Sequence, residues 1–201
     1  MKAAIFPAIL CIPGAVALVR LMQGEWASEL LHGTGEFSAR LMILSMMVSP
    51  LRVALPKARW VAWLLGKRRT LGVAAFLYAL LHTLFYVIDM GSWQNVAVEF
   101  KSLGIWTGWL ALVLFVVLGA TSNDASVRRM GSRWKSLHRV IYPAAILVLI
   151  HWMAVHNNQR AALLNFAPLI GLEVFRVFHL WKSGRFQTQK NPRRMPEHNS
   201  P

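Results

Sequence analysis

Seven histidines and a single cysteine, Cys11, limit the redox and metal chemistry that this 201-residue sequence can support. One thiol cannot form an intramolecular disulfide, a thiolate-only zinc site or a cysteine-bound iron–sulfur cluster. Any metal or redox cofactor therefore depends on imidazole. His82 and His151 stand in the middle of long apolar segments, where an ionisable side chain is costly to bury and is by default a functional candidate.

His82 and His151 lie at matching depths in these segments. His82 is 15 residues after Lys67 and His151 is 16 after Lys135, so both stand roughly 22–24 Å from the basic ends of their helices. Two imidazoles on different helices at one depth can bind a flat metal macrocycle from opposite sides, as in b-type haems. The alternative is that each histidine is a structural hydrogen bonder and that the small residues around it only let helices approach.

His138 is a candidate ligand for a second haem on the inner side. It precedes His151 by thirteen residues, which is about 20 Å along a helix but about 140° around it. Either Pro143 rotates the helix between them, or His138 precedes its regular part. An interfacial histidine beside a basic loop explains the spacing equally well, and His179 is a possible partner. The other three, His32, His156 and His198, are expected at the outer surface or in the tail.

Several arginines are placed to neutralise an anionic cofactor. Arg40 and Arg20 are candidates for the propionates of an outer haem, and Arg68 and Arg69, with Arg133 and Trp134, for an anionic inner cofactor. The alternative for the inner group is that it only sets topology and binds anionic lipid. Glu173 and Arg176 are three residues apart and are expected to pair on one helix face.

Composition identifies the elements that must position these residues as membrane helices. The sequence is 56% hydrophobic yet carries a net charge of +14, a combination that disfavours disorder and a soluble nucleic-acid binder. Six apolar segments of membrane-spanning length are predicted, at about 4–22, 37–55, 70–90, 103–121, 138–157 and 162–181. The first resembles a signal peptide, but it is long enough that a retained span is preferred.

The distribution of Lys and Arg predicts the orientation of these spans. With the N-terminus in the cytoplasm, sixteen basic residues fall in inner segments and two, Lys101 and Arg160, in outer ones, which places both termini inside. Tryptophans near the span ends are expected to form an interfacial belt; they are Trp26, Trp60, Trp63, Trp93, Trp134, Trp152 and Trp181. Residues 1–182 then form one haem-binding transmembrane domain, followed by a basic tail at 183–201, expected to be disordered.

Four segments resemble the haem-binding membrane subunit of the bacterial periplasmic methionine-sulfoxide reductase system, in the ferric-reductase-like transmembrane group. They are HGTG at 32–35, KRRTLGVAAFLYALLH at 67–82, TSNDASVRRMGSRWKSLHRVIY at 121–142 and LVLIHW at 147–152. The resemblance implies an all-α, six-helix b-type cytochrome of the inner membrane, with haem-binding residues at His82, His138 and His151. The family's basic residue after H-x-T-G is Glu36 here.

The resemblance also implies a function: electrons from quinol or a flavin pass through haem to a separate periplasmic, molybdopterin-containing reductase that repairs oxidised methionine. It implies FMN binding too, although no flavin, P-loop, GxGxxG, GxSxG or HExxH motif occurs. About 20 residues after the last span cannot form a nucleotide-binding domain, so the donor is expected to be quinol or another polypeptide. The alternatives are a ferric-reductase-like metalloreductase and, in a different class, a cofactor-free transporter or scaffold.

Overall fold

The structure, a computed structural model, describes residues 2–155 and 159–183, and every regular element in that part of the chain is helical. The predictions made for His156, for His198 and for nearly all of the tail lie outside the described residues. The helices are α1 (Lys2–Met22), α2 (Ala27–Ala54), α3 (Arg59–Met90), α4 (Trp93–Glu99), α5 (Leu103–Ala120), α6 (Asp124–Met130), α7 (Ser132–Leu137), α8 (Ile141–Val155) and α9 (Gln159–Lys182), with a 3₁₀ turn at His138–Val140.

Six segments of the described chain are long and apolar enough to cross a membrane, which confirms the predicted all-α, six-span architecture. They comprise α1, α2, α3, α5, the stretch from α7 through α8, and α9. The segments rich in Lys and Arg, at 55–69 and 121–139, connect helices at one end of the bundle, which we call the basic end. The turn at 23–26 and the segment containing α4 lie at the opposite end.

Two helices extend well beyond their predicted spans. Helix α2 begins ten residues before the predicted 37 and includes the whole HGTG stretch, and α3 begins eleven residues before the predicted 70. Hydropathy reports which residues suit lipid, whereas a helix continues into water as long as its backbone hydrogen bonds are made. His32, which was expected at the outer surface, therefore lies exposed on α2.

His138 precedes the regular part of its helix, which is one of the two arrangements that its spacing from His151 allowed. It begins the 3₁₀ turn, and α8 starts at Ile141. Pro143 falls in the first turn of α8, where its missing N–H removes no helical hydrogen bond. A tighter turn therefore lies between His138 and the regular helix that carries His151.

The bundle is built from two closely packed helix pairs. Helix α2 packs along α3, α5 packs along α8, and α9 lies against both α2 and α8. Between α2 and α3, the buried Ser38 Oγ donates a 2.7 Å hydrogen bond to the Ala75 carbonyl. Trp152, predicted for the interfacial belt, is instead buried in the core at 4% exposure beside Phe166. This prediction was wrong because α8 is packed on several sides at that position, whereas Trp26, Trp93 and Trp181 are exposed as expected.

Helix α1 lies at the edge of the bundle, and Tyr78 of α3 forms hydrogen bonds to its backbone. The Tyr78 hydroxyl accepts a 2.6 Å hydrogen bond from the Gly14 amide and donates a 2.8 Å bond to the Leu10 carbonyl. These two backbone groups would be i→i−4 partners in an uninterrupted helix. Because Pro13 beside them has no N–H, the helix is already weakened there, and the hydroxyl inserts into the gap.

At the basic end, two short helices connect α5 to the 3₁₀ turn. The Asn123 side chain caps α6 by accepting a 2.8 Å bond from the Ser126 amide, and Gly131, at φ +55°, links α6 to α7. Arg69 of α3 forms an ion pair with Asp124. The hydrogen bond and charge of Arg69 hold the pKa of the Asp124 carboxyl below its usual range, so this link between α3 and α6 persists to mildly acidic pH.

Candidate functional site

The fold brings His82 of α3 and His151 of α8 together. Their ring centroids are 6.0 Å apart and their planes meet at 79°. Both side chains are half-buried and line one cleft in the half of the bundle away from the basic end. The two histidines that the sequence places at the same depth are therefore neighbours in the folded protein.

Backbone carbonyls on two further helices determine which ring nitrogen of each histidine carries the proton. Nδ1 of His82 lies 2.9 Å from the carbonyl oxygen of Leu31 on α2, and Nδ1 of His151 lies 2.7 Å from that of Gly104 on α5. A carbonyl oxygen can only accept a hydrogen bond. Both rings are therefore assigned as Nδ1–H tautomers, with a lone pair on Nε2, which is the form in which imidazole binds a metal.

Two glycines make room for these rings. A Cβ atom placed on Gly35 would lie 2.7 Å from Nδ1 of His82, and one placed on Gly108 would lie 2.7 Å from Nδ1 of His151. No real Cβ approaches that closely without displacing its neighbour. Helices α2 and α5 thus approach the two imidazoles in the same way. Each places a glycine against the ring, and the carbonyl one turn earlier accepts the hydrogen bond from Nδ1 of that ring.

The cleft between the rings encloses about 110 Å³ and is mostly apolar. Small and apolar side chains of α2, α3 and α5 form much of its wall, including Ala39, Ala79 and Ala111. Toward the end opposite the basic one it is lined by His32, Glu36, Tyr86 and Trp109. Tyr86 Oη is bound to Glu99 Oε2 at 3.0 Å, which ties this end of the cleft to α4.

The two arginines predicted to face an outer haem have acidic partners. Arg40 pairs with Glu36 at 2.6 Å and reaches Asn165 Oδ1 on α9 at 3.2 Å, and Arg20 pairs with Glu25. Neither arginine is among the described residues that line the cleft, although Glu36 is. The side chain that directly reaches the cleft here is an acid, held one turn from its arginine.

A second, larger cavity of about 540 Å³ lies toward the basic end. Arg68 and Arg69, the residues expected near an anionic inner cofactor, both line it, together with Lys135, Arg139 and Arg176. Arg68 donates a 2.9 Å hydrogen bond to Ser49 Oγ, and Arg176 pairs at 2.6 Å with Glu173, as the sequence predicted. Five cations from α3, α9 and the segment that connects α5 to α8 therefore line one space.

His138 lines this inner cavity, and its ring has different neighbours from the rings of His82 and His151. Trp134 stacks on its ring, with centroids 3.9 Å apart, and donates a 2.8 Å bond from Nε1 to the Thr121 carbonyl. His138 Nε2 lies 3.1 Å from Thr121 Oγ1. Within the described part of the chain, His138 is the only histidine that lines the cavity; the suggested partner, His179, is exposed and stacks on Phe175.

Among the described residues, the two cavities share one lining side chain. Phe115 of α5, 5% exposed, lines both the histidine cleft and the inner cavity. The two spaces are therefore neighbours along the bundle.

Sequence reasoning missed Gly35, Gly108 and Phe115. Gly35 belongs to the HGTG stretch, and Gly108 with Gly104 forms a GxxxG pattern, which marks close helix contact but does not reveal that the contacting group is a ligand. In residues 2–155 and 159–183, no group of three or more His, Cys, Asp or Glu residues is placed to hold a metal ion.

Comparison with known proteins gives the class first. Residues 34–149 match the family described as the ferric reductase like transmembrane component. The chain therefore belongs to the ferric-reductase-like transmembrane family, and the six apolar helices identify it as a multi-pass membrane protein. No solved structure matches it.

Within that family, the relatives are more particular. The chain is 36% identical over 157 residues to a protein of Azospira oryzae, a match that covers 76% of this chain and 64% of that one. It is 33% identical over 172 residues to a protein of Polaromonas naphthalenivorans, covering 82% and 77%, and 38% identical over 156 residues to one of Brucella anthropi, covering 75% and 66%. Each is named protein-methionine-sulfoxide reductase heme-binding subunit MsrQ. The matched region spans just under two thirds of the length of the Azospira relative.

Proposed function

We propose that this chain is the haem-binding, electron-transferring membrane subunit of a methionine-sulfoxide reductase system, and that it holds a b-type haem between His82 and His151. The observation that carries the proposal is the pair of imidazoles 6.0 Å apart, each with Nδ1 bound to a backbone carbonyl. The names of the relatives support the cofactor and the partner.

The residues present fit a bis-histidine haem. Metal–imidazole bonds of about 2 Å on each side place two ring centroids roughly 6 Å apart, close to the separation found here. The apolar lining of the cleft suits a porphyrin. However, the cleft encloses only about 110 Å³, which is less than the volume of a pocket that surrounds a whole ligand of this size. The edge of the macrocycle would therefore extend along the open side of the cleft. When bound, the haem supplies a one-electron carrier.

The inner cavity is the proposed site of the electron donor, a hydroquinone or a reduced flavin. Its five cations favour an anionic or electron-rich ring, and FMN, which the family resemblance implies, would place its phosphate there. A second haem remains a prediction that requires His138 as a ligand. Anionic lipid headgroups are the competing ligands for the same cations.

The proposed direction of electron flow is from the basic end, in the cytoplasm, to the opposite end, in the periplasm. It follows from the excess of Lys and Arg at one end, which also supports a bacterial inner-membrane location with both termini inside. The acceptor would be a periplasmic catalytic subunit, of the molybdopterin type according to the resemblance. Residues 1–182 would form the haem-binding domain, and no nucleic-acid partner is proposed.

The test is the absorption spectrum of the purified protein after haem-replete expression. A Soret band and an α band that sharpens on reduction by dithionite are expected, with about one haem per chain at this site. His82→Ala and His151→Ala should each abolish it, whereas His179→Ala, at an exposed histidine away from both cavities, should retain it. A colourless wild-type protein would reject the haem site and favour a cofactor-free transporter or scaffold.

The family match favours one second candidate, a ferric-reductase-like metalloreductase. The two functions differ in their acceptor. The pre-reduced protein should pass electrons to a methionine-sulfoxide reductase catalytic subunit faster than to ferric citrate. The reverse order would favour the metalloreductase.

A further inference from the structure

Thr121 fixes the tautomer of His138 in the sense opposite to that of the two cleft histidines. The Thr121 hydroxyl donates its single proton back to its own helix, at 2.7 Å from the Val117 carbonyl and 3.3 Å from that of Leu118. Its oxygen can then only accept from His138 Nε2, 3.1 Å away. His138 is therefore assigned as the Nε2–H tautomer, and its lone pair is on Nδ1.

This tautomer does not suit the role that the family resemblance implies for His138. In His82 and His151, Nδ1–H is bound to a carbonyl and Nε2 carries the lone pair. In His138 the proton is on Nε2, which is already hydrogen-bonded, and Trp134 covers one face of the ring. The described residues also bring no second histidine to the inner cavity. The arrangement prepares His138 as a base and not as one of two axial ligands.

His138 also differs chemically from the other ionisable groups that line the cavity. Arg68 and Arg69 from α3, Lys135 and Arg139 from the connecting segment, and Arg176 from α9 are cations and cannot accept a proton. Tyr142 is a phenol whose hydroxyl accepts a 2.9 Å bond from Arg176. The nearby acids, Asp124 and Glu173, pair with Arg69 and Arg176 and are not among the described lining residues. Nδ1 of His138 is thus the one neutral imidazole base lining this part of the described cavity.

We propose that His138 is the proton acceptor for the two-electron donor that binds in the inner cavity, and not an iron ligand. This inference rests on the proposed function. A bound hydroquinone would break one O–H bond, with its proton passing to Nδ1 of His138 and its electron to the one-electron carrier that His82 and His151 would hold. His138 would release that proton toward the basic end. Once the carrier has passed its electron to the acceptor, the half-oxidised donor would lose its second proton and electron by the same route, which leaves the quinone. A dihydroflavin would give up an N–H proton by the same route.

The surrounding cations act on both partners in this step. They disfavour a lasting positive charge on His138, so the imidazole releases the proton that it receives. Positive charge close to a hydroxyl favours its ionised form, so the five cations stabilise the anion that forms as the proton leaves. Thr121 keeps the lone pair of His138 on Nδ1. Trp134 stacks on the imidazole ring and donates a hydrogen bond to the Thr121 carbonyl. Thr121 is therefore a positioning residue for His138.

The experiment uses the purified holoprotein with two probes, menadiol and reduced FMN, and follows haem reduction by stopped flow. For the probe that reduces the wild type, His138→Gln should slow reduction by about 100-fold, the typical contribution of a general base. Thr121→Val, which frees the tautomer, should slow it by about 10-fold. His179→Gln, an exposed histidine that stacks on an aromatic ring as His138 does, should stay within twofold of wild type.

Haem content and dithionite reduction separate this inference from the proposed function. In His138→Gln, the haem per chain, the low-spin EPR signal and the dithionite rate should all match wild type. Loss of one of two haems in that variant would identify His138 as a ligand and overturn the proposal. It would also be overturned if neither probe reduced a haem that dithionite reduces, or if His138→Gln reacted at the wild-type rate; in both cases the haem site would stand.

Discussion

At the scale of single residues, Gly35 and Gly108 are as important to the cleft as the histidines they touch. A methyl group on either would lie 2.7 Å from a ring nitrogen. Overpacking of this kind costs about 1–3 kcal/mol, which corresponds to roughly 5- to 150-fold weaker haem binding. Gly35→Ala and Gly108→Ala should each lower the haem bound per chain in a titration of apo-protein with haemin.

Gly33→Ala is the matched control, because it changes the same helix two residues away, where a Cβ meets nothing within 4 Å. It should bind haem as the wild type does. Equal loss in Gly33→Ala and Gly35→Ala would mean that helix α2 is sensitive to any alanine, and that the close approach to His82 does not decide binding.

The angle between the two imidazole planes leads to a spectroscopic prediction. The rings of His82 and His151 meet at 79°, and near-perpendicular axial imidazoles bring two of the iron d orbitals close in energy. The oxidised protein should therefore give a strongly anisotropic low-spin EPR signal with a large maximum g value. A rhombic signal typical of parallel imidazole planes would contradict the ring orientation that the Leu31 and Gly104 carbonyls impose.

At the scale of helices, Tyr78 attaches α1 to the helix that carries His82. Tyr78→Phe removes the hydroxyl inserted between Gly14 and Leu10, and the two backbone groups can then bond to each other. The net cost should be only about 0.5–1.5 kcal/mol, with haem retained and α1 less firmly held. Faster protease cleavage in the turn at 23–26 would report this, and Tyr86→Phe, which only releases Glu99, should leave the cleavage rate unchanged.

The sequence predicts the features that depend on one helix at a time, but not those that depend on how the helices pack together. The number and order of the spans follow from hydropathy, and the common depth of His82 and His151 follows from their positions along two helices; both were predictable. The facing of the two rings, the glycine contacts, the lining of both cavities by Phe115 and the burial of Trp152 depend on which helices become neighbours. Periodicity does not specify this when a helix is apolar on all sides.

The same limit applies to the charged residues. Arg68 and Arg69 were predicted to face an inner cofactor, and both line the inner cavity. Arg40 was predicted to face an outer haem, but it pairs with Glu36 and reaches α9. The difference arises because the position of an arginine in a span gives its depth, whereas the carboxylate one turn away decides where its guanidinium points.

At the scale of the whole molecule, the two cavities and the charge asymmetry together define a direction. The cationic cavity is at the basic end, the histidine cleft is in the other half, and Phe115 is the one described residue that lines both. A donor and a haem placed in these two spaces would lie in series across the membrane. Reversing the orientation would leave the path intact but deliver electrons to the cytoplasm, so the topology decides the function.

That topology can be measured with single cysteines. Cys11 is exposed, so the background is Cys11→Ser. Gln94→Cys lies on the exposed surface of α4 and Ser136→Cys on that of α7, at opposite ends of the bundle. Because the segments rich in Lys and Arg, at 55–69 and 121–139, lie at the end that contains Ser136, a membrane-impermeant maleimide should label Gln94→Cys in spheroplasts. Ser136→Cys should react only after lysis, and the opposite pattern would reverse the proposed electron flow and reject a periplasmic acceptor.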